Sequence, residues 1–123
     1  QVVYEVDGEL GQYSVPKLLL QPLVENAVVH GFRDMKNGGL LWIRGTIETD
    51  AILLEVEDNG RGMSGEEIEK AMQGDYHRIG LENTRRRIQL LYGEKGCMQI
   101  ETRPGEGTCI RIRIPLPDPE GDR

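Results

Sequence analysis

Residues 52, 54 and 56 are aliphatic whereas residues 55 and 57 are acidic, and this period of two predicts a β-strand. One face of that strand is aliphatic and carries Ile52, Leu54 and Val56. The same period places Asp58 on the aliphatic face, where a carboxylate needs a hydrogen-bond partner. Gly60 and Gly62 follow at once, and glycine lets other backbone approach closely. The end of this strand is therefore the first candidate for a binding site.

The N-terminal part of the chain predicts a strand and then a long helix. Residues 2–6 are β-prone, whereas Ser14 and Pro16 are typical of a helix start and Gly31 of a helix end. Pro22 lies within this helix and predicts a kink or a late start, because proline removes a backbone hydrogen bond. One face combines apolar and polar side chains at helical spacing: Leu19, Leu23, Asn26 and His30. Two polar groups therefore lie on the apolar stripe.

The middle of the chain predicts a hairpin followed by a lid. Two strands meet at a turn near Thr49-Asp50, and the second strand ends at Asp58. Residues 60–79 are rich in glycine and charge and contain one short helix, for which Ser64 and Glu67 fit a capping box. The apolar face of that helix is thin, so few buried contacts would hold it and the segment is a candidate lid.

The last third of the chain predicts a helix over residues 80–92 and a hairpin around a turn at residues 103–107. The inward positions of that helix are Leu81, Thr84, Ile88 and Leu91. The whole pattern predicts an α+β two-layer sandwich, with a mixed, mostly antiparallel sheet and helices on one face. Residues 1–116 would form this one domain, and residues 117–123 a proline-rich, charged tail that frays.

Composition narrows the function classes. The chain has 123 residues, enough for one domain and too few for two. Fifteen basic against twenty-one acidic residues give a net charge of −6, which argues against nonspecific nucleic-acid binding. No apolar run approaches the roughly twenty residues of a membrane span, and the N-terminus lacks a signal-peptide pattern. Because the sequence begins within a predicted strand and without Met, we expect an excised domain. We also expect that this domain makes no membrane contact itself.

Two cysteines lie on the predicted final hairpin. In its register Glu101 rather than Cys97 faces Cys109, so we expect reduced thiols and a cytosolic setting. The two histidines, His30 and His77, are distant in sequence and do not complete a metal site with the cysteines.

Three elements with binding chemistry are expected to meet: the helix face bearing Asn26 and His30, the loop at residues 58–63, called here the Asp58 corner, and the helix N-terminus at Gly80. A carboxylate beside a tight glycine turn can accept a hydrogen bond from an exocyclic amine such as that of adenine. The Asn26 carbonyl oxygen is a hard ligand that suits Mg²⁺, and the free N–H groups after Gly80 suit phosphate. Together these groups predict a nucleotide site without a Walker loop.

The sequence resembles the GHKL, or Bergerat-fold, ATPases, and most closely the catalytic ATP-binding domain of bacterial sensor histidine kinases. Residues 18–27 with His30-Gly31 resemble the family's N box, residues 58–63 its first glycine box and residues 79–83 its second. Gly107-Thr108 and the strand after it resemble its closing motif. One box alone is weak evidence, but four in the family's order and spacing are specific.

The resemblance implies a role for each matching residue at the base and the metal. Asp58 would read the adenine, in a pocket shaped by Gly60 and Gly62. Thr108 would support Asp58 from the neighbouring strand. Asn26 would coordinate the Mg²⁺ that bridges the phosphates, so ATP and Mg²⁺ are the implied cofactors.

The resemblance also assigns residues around the phosphates. Gly80 and Leu81 would close the lid over them, with Arg78 as an added contact at the end of the lid. Glu25 would act as a catalytic polarising group or lie beside the metal. His30 would line the site without being the phosphorylated histidine.

Three positions depart from the family's pattern. The N box often has Lys where this chain has Val29, so another cation would supply that phosphate contact, from Arg33, Lys36 or Arg78. The second glycine box usually has Gly where this chain has Arg78. This difference affects the expected flexibility of the lid and the expected geometry of phosphate binding. In hydrolysing relatives a carboxylate that activates water stands at the position of Pro22, so this chain favours phosphoryl transfer to a protein over hydrolysis.

The implied function is that of the catalytic domain of a two-component sensor histidine kinase, which transfers the γ-phosphoryl group of ATP to a histidine on an upstream dimerisation helix. No segment resembles that helix, so the chain alone is not expected to phosphorylate itself on His30 or His77. The implied partners are the phosphoacceptor helices of the same protein and a response regulator, in a protein anchored in the cell membrane with this domain in the cytoplasm. The alternative is a nucleotide-binding or docking module that regulates a partner without kinase activity.

Each candidate residue also has a structural explanation. Asp58 could cap an Asp-Asn-Gly turn, and Asn26 could be a satisfied core amide. Glu25 could be a surface carboxylate and His30 a packed histidine at a helix end. Thr108 could be an ordinary strand residue.

Overall fold

The computed structural model describes residues 1–6, 17–32, 35, 37–72 and 79–116. Its strands are β1 (Val2–Val6), β2 (Leu41–Ile47), β3 (Ala51–Asp58), β4 (Cys97–Thr102) and β5 (Thr108–Pro115). Its helices are α1 (Lys17–Glu25), which continues as a π-helix (Asn26–Gly31), then α2 (Gly65–Met72) and α3 (Ile79–Tyr92), which leads into a 3₁₀ turn (Gly93–Lys95). The predicted helix start at Ser14 and Pro16, the end of the lid and the tail at residues 117–123 lie outside the described residues.

The five strands form one sheet in the order β1-β2-β3-β5-β4. β1 pairs with β2 in parallel, and the other three pairs are antiparallel. This confirms the predicted mixed, mostly antiparallel sheet. β3 lies at its centre, so the Asp58 corner extends from the middle of the sheet and not from an edge.

The helices cover one face of the sheet and enclose a single core. Aliphatic residues of β3 lie opposite aliphatic residues of β5, as in the pairs Leu54 with Ile112 and Val56 with Ile110. Helix residues bury against this layer, namely Leu23, Ala27, Leu81 and Ile88. Each CH₂ group removed from water contributes about 0.8 kcal/mol, so this layer supplies the main stabilising term.

The opposite face of the sheet carries ion pairs between neighbouring strands. The Arg44 guanidinium lies 2.7 Å from a Glu57 carboxylate oxygen, and this hydrogen bond raises the pKa of Arg44. Arg111 contacts Glu55 at 2.8 Å and also pairs with Glu101, which raises the pKa of Arg111. These pairs leave the face polar.

Both cysteines are free, as predicted. Glu101 is the residue opposite Cys109 in the β4–β5 register, while Cys97 lies opposite Arg113. Within the described residues, no cluster of three His, Cys, Asp or Glu side chains could hold a metal ion. None of the described helices has the length and apolar character needed to cross a bilayer.

Two details of the helices differ from the prediction. The late start at Pro22 is wrong, because α1 already runs from Lys17 and passes through Pro22. Burial of Leu23, which is 0% exposed, helps to offset the backbone hydrogen bond that the proline removes. Leu91 is also not inward but 53% exposed; Tyr92, one position later, packs against the core instead.

The short helix α2 begins as the sequence predicts. The Ser64 N–H donates to a Glu67 carboxylate oxygen at 3.0 Å, and the Glu67 N–H donates to the Ser64 hydroxyl at 3.2 Å. This reciprocal pair is a capping box and satisfies N–H groups at the helix start. Among the described side chains of α2, Ile68 packs, partly buried, against the core.

Candidate functional site

Asp58 is the last residue of β3 and lies on the buried face of the sheet, as the period of two predicts. It is only 4% exposed. One of its carboxylate oxygens accepts a hydrogen bond from the Gly60 N–H at 2.8 Å. The local turn therefore fixes the direction of the carboxylate.

The end of the N-terminal helix packs against this carboxylate through backbone. A Cβ atom on Gly31 would lie 3.0 Å from the Asp58 Oδ1 atom, and a Cβ atom on Gly60 would lie 2.0 Å from the Gly31 carbonyl oxygen. The Arg61 N–H donates to that same carbonyl oxygen at 2.8 Å. Gly60 is thus required by backbone packing, and Gly31 leaves little room for a side chain beside Asp58.

The turn between β4 and β5 supports the other side of the Asp58 corner. Gly62 has a φ of +68°, and a Cβ atom there would lie 1.9 Å from the Arg103 carbonyl oxygen. A Cβ atom on Gly107 would lie 2.1 Å from the Asp58 carbonyl oxygen. The Gly105 N–H donates to the Arg61 carbonyl oxygen at 2.6 Å. The two glycines of the first predicted box therefore fit the corner between two other backbone segments.

Thr108 lies directly opposite Asp58 in the β3–β5 register and is 5% exposed. Its hydroxyl oxygen lies 2.9 Å from the hydroxyl oxygen of Thr102, the neighbouring residue on β4. Thr108 therefore lies on the strand next to Asp58, and its support of Asp58 stays a prediction. Thr102 was missed by the sequence analysis, and the only signal for it is its position opposite Thr108 in the hairpin.

The π-helix carries the N-box residues. Asn26 is 6% exposed and begins the π-helix, while His30 is half-buried and directly precedes Gly31, whose backbone touches Asp58. Glu25 is exposed and accepts a hydrogen bond from Gln21 at 3.3 Å. Val29, the departure from the N box, is 57% exposed. The structure thus places His30 next to the glycine that packs beside Asp58, buries Asn26 at the start of the same π-helix and leaves Glu25 exposed.

Helix α3 contributes its N-terminus, which includes Gly80 and Leu81. The Leu81 side chain is 1% exposed and belongs to the core, so its backbone is the part available to a ligand. The first four N–H groups of a helix have no partner within the helix and suit an anion. Glu82, which lies within the second predicted glycine box, is 5% exposed and pairs with Arg86 at 2.5 Å. Arg78 lies outside the described residues, as do Arg33, Lys36 and His77.

Asn59 links the Asp58 corner to the residues just before β2 through hydrogen bonds. Its side-chain oxygen accepts from the Leu40 N–H at 2.8 Å, and its side-chain nitrogen donates to the Gly38 carbonyl oxygen at 3.0 Å. Its backbone N–H also donates to the Leu40 carbonyl oxygen at 3.3 Å. This role could not be predicted from the sequence, because the partners are backbone groups that no sequence pattern marks.

The family described as histidine kinase-, DNA gyrase B-, and HSP90-like ATPase matches residues 13–118. Among curated relatives, the sensor histidine kinase YpdA of Escherichia coli (strain K12) is 38% identical over 95 residues, which cover 76% of this chain and 17% of that protein. The sensor histidine kinase YesM of Bacillus subtilis (strain 168) is 35% identical over 111 residues, which cover 90% of this chain and 19% of that protein. The chain thus spans about a fifth of the length of these two relatives.

The fold has a counterpart among solved structures. The histidine kinase domain of the blue-light activated histidine kinase EL346 from Erythrobacter litoralis matches with a TM-score of 0.67 and 21% identity. The match covers 94% of this chain and 51% of that one, and at this identity it supports the fold alone. The predicted α+β fold and the predicted ATPase domain of sensor-kinase type are both confirmed. The chain belongs to the histidine kinase-, DNA gyrase B- and HSP90-like ATPase family.

Proposed function

We propose that this chain binds Mg-ATP at the Asp58 corner and acts as the catalytic domain of a sensor histidine kinase. The observation that carries the proposal is the buried Asp58 carboxylate, held by the Gly60 N–H and enclosed by the Gly31 backbone. A carboxylate is buried at a strand end at considerable cost, and a corner built from glycine backbone around it is typical of a site that reads a ligand.

The base of the nucleotide is read by acceptors on two adjacent strands. Asp58 and Thr108 lie opposite each other at the ends of β3 and β5. An ionised carboxylate offers only acceptors, so it fits the exocyclic amine of adenine and rejects the carbonyl oxygen of guanine. The buried setting strengthens this discrimination, because an unpaired polar group there cannot turn to water.

The phosphates and the metal are held by the surrounding helix ends. Asn26 supplies one amide oxygen at the start of the π-helix, and the N–H groups at the start of α3 face the phosphates. Mg²⁺ is commonly held by one or two protein ligands together with substrate phosphates, so a single Asn26 oxygen would suit this cation. Mg-ATP supplies the transferable phosphoryl group and a cation that neutralises its charge.

The chain's own residues bind and orient the nucleotide but do not activate water. At the position where hydrolysing relatives have a carboxylate, this chain has Pro22, which bears no proton acceptor. Glu25, His30 and Arg78 complete the surroundings of the phosphates, with residues 60–79 as the lid. The phosphoryl acceptor is a histidine on a dimerisation helix upstream in the full protein, and a response regulator receives the group next. That protein is anchored in the membrane, with this domain in the cytoplasm.

Calorimetric titration with ATP and Mg²⁺ tests the site. We expect Asp58→Asn to weaken ATP binding at least tenfold, because the amide loses the charge and presents an N–H₂ group where an acceptor is needed. Asp50→Asn is the matched control, since the Asp50 side chain is 83% exposed on a distant turn and should leave the affinity unchanged. Absence of ATP binding by the wild-type chain contradicts the proposal.

A second candidate is a nucleotide-binding module that regulates a partner without transferring phosphate. The exposed Val29 favours it, since an apolar side chain stands where the N box often has a phosphate-binding Lys. Incubation with labelled ATP separates the two candidates. The kinase proposal expects no label on this chain alone and label on added dimerisation helices of the full protein. Nucleotide binding without such transfer supports the second candidate, and label on His30 or His77 contradicts the assignment of the acceptor.

A further inference from the structure

The hydroxyl of Thr102, at the end of β4, makes three polar contacts beside the candidate site. The Met63 N–H lies 2.9 Å from the Thr102 oxygen, the Gly107 carbonyl oxygen lies 2.8 Å away, and the Thr108 hydroxyl oxygen lies 2.9 Å away. The three partners belong to the Asp58 corner, the β4–β5 turn and the start of β5. Thr102 therefore joins three of the segments around the buried end of the sheet.

Counting protons fixes the direction of each of these hydrogen bonds. A threonine hydroxyl has one proton to donate and two lone pairs to accept with. The Gly107 carbonyl oxygen can only accept, so the single Thr102 proton goes there. The Met63 N–H can only donate, so it occupies one Thr102 lone pair. The Thr102–Thr108 contact then requires Thr108 to be the donor.

We infer that Thr102 is a positioning residue that makes the Thr108 hydroxyl a hydrogen-bond acceptor only, and so contributes to the choice of adenine over guanine. This inference rests on the proposed function. Since the Thr108 proton is committed to Thr102, Thr108 turns only lone pairs toward the Asp58 side of the sheet. Asp58 and Thr108 then present acceptors side by side. Such a pair matches an amine, or a water that donates, and opposes a carbonyl oxygen.

The same contacts also have a structural role, and the two roles have different consequences. Loss of the Thr102 hydroxyl leaves the Met63 N–H without this partner and loosens the Asp58 corner, which weakens every nucleotide to the same degree. Loss of the hydrogen bond that Thr108 donates to Thr102 has a different effect. It lets Thr108 donate as well as accept, which improves binding of a guanine base relative to an adenine base. The ratio of the two affinities therefore reports the positioning role alone.

Titration of ATP and GTP against wild type, Thr102→Val and Thr102→Ser tests the inference. Valine keeps the shape of threonine without the hydroxyl, and serine keeps the hydroxyl. We expect Thr102→Val to reduce the preference for ATP over GTP by about threefold to tenfold, the size of one neutral hydrogen bond, and Thr102→Ser to retain the wild-type preference. An unchanged ratio in Thr102→Val, whether or not both affinities fall, overturns the inference.

A second measurement needs neither nucleotide nor variant. In NMR spectra of the nucleotide-free chain, a donating Thr108 hydroxyl proton should exchange slowly with water and show a contact to the Thr102 side chain. A rapidly exchanging Thr108 hydroxyl proton overturns the inference, even where Thr102→Val does not fold. If the wild-type chain binds no nucleotide, the proposed function fails, whereas this measurement still decides which of the two hydroxyls donates.

Discussion

At Gly60 a single added carbon atom would meet backbone. A Cβ atom there would lie 2.0 Å from the Gly31 carbonyl oxygen, and backbone cannot move aside as a flexible side chain can. We expect Gly60→Ala to lower the free energy of unfolding by about 3 kcal/mol or more, measured by urea denaturation. Gly65→Ala is the matched control. Nothing lies within 4 Å of a Cβ atom at Gly65, in the first turn of α2, so this change should leave stability equal or raise it by about 0.5 kcal/mol. Equal losses in both variants would contradict this account of the corner.

Cys109 provides a prediction about pH. Burial raises the pKa of the Cys109 thiol above its ordinary value of 9.0, because the sheet disfavours the thiolate. A raised pKa contributes stability that is fully present below the ordinary value and is lost as the pH rises through the raised value. We therefore expect the unfolding free energy to fall above about pH 9, and to fall less in Cys109→Ala. The exposed Cys97 serves as the control, since Cys97→Ala should keep the full alkaline loss.

Some residues at the site could be predicted from the sequence and others could not. The burial of Asp58 follows from the alternation along its own strand, because the period of two is local information. The roles of Thr102 and Asn59 depend on backbone groups of distant segments, Gly107 and Leu40 among them. Those partners become neighbours only through the register of the sheet. That register cannot be predicted from a single sequence.

Among the elements, α2 depends on its cap, since Ile68 is the one described side chain of this helix that packs against the core. We expect Ser64→Ala to cost about 1 kcal/mol of local stability and to speed amide hydrogen exchange in α2 about fivefold. Exchange in α3 should be unchanged, because the buried Leu81 and Ile88 anchor that helix independently. Ser64→Thr keeps a capping hydroxyl and should exchange at the wild-type rate. Acceleration of both helices by Ser64→Ala would show that α2 does not open on its own.

Helix faces were predicted with partial success, and the reason is geometric. The spacing of Leu81, Thr84 and Ile88 identifies the buried face of α3, but either Leu91 or Tyr92 can continue that stripe. The longer Tyr92 side chain reaches the core, and Leu91 is left exposed. The π-helical turn was not predicted at all, because an extra residue per turn leaves no mark in a pattern read at 3.6 residues per turn.

At the scale of the whole molecule, the layer between sheet and helices determines stability. Ile112 is 0% exposed and lies opposite Leu54 at the centre of that layer. We expect Ile112→Ala to lower the free energy of unfolding by about 2–5 kcal/mol and Ile112→Val by about 0.5–1.5 kcal/mol. Leu90→Ala is the control, since Leu90 is 86% exposed and should change stability by less than about 0.5 kcal/mol. A comparable loss at Leu90 would place that side chain in an interface.

The architecture as a whole could be predicted from the order of the elements. Hairpins predict antiparallel neighbours, and both predicted hairpins are present as β2–β3 and β4–β5. The insertion of β5 beside β3, which brings Thr108 next to Asp58, joins strands that are distant in sequence. That pairing could be expected only from the family resemblance, because the periodicity of a sequence does not indicate which distant strands become neighbours.

The meeting of Gly31, the Asp58 corner and the β4–β5 turn has a consequence for the order of folding. Gly60 fits against the helix end and Gly62 against Arg103, so the corner reaches its final shape only when the first helix and the last hairpin are both docked. Contacts between distant segments form late, since the entropy of closing long loops must be overcome first. Under the proposed function, the ability to bind nucleotide therefore arises at the end of folding, and a nascent chain that lacks the final hairpin would not bind ATP while it is still being synthesised.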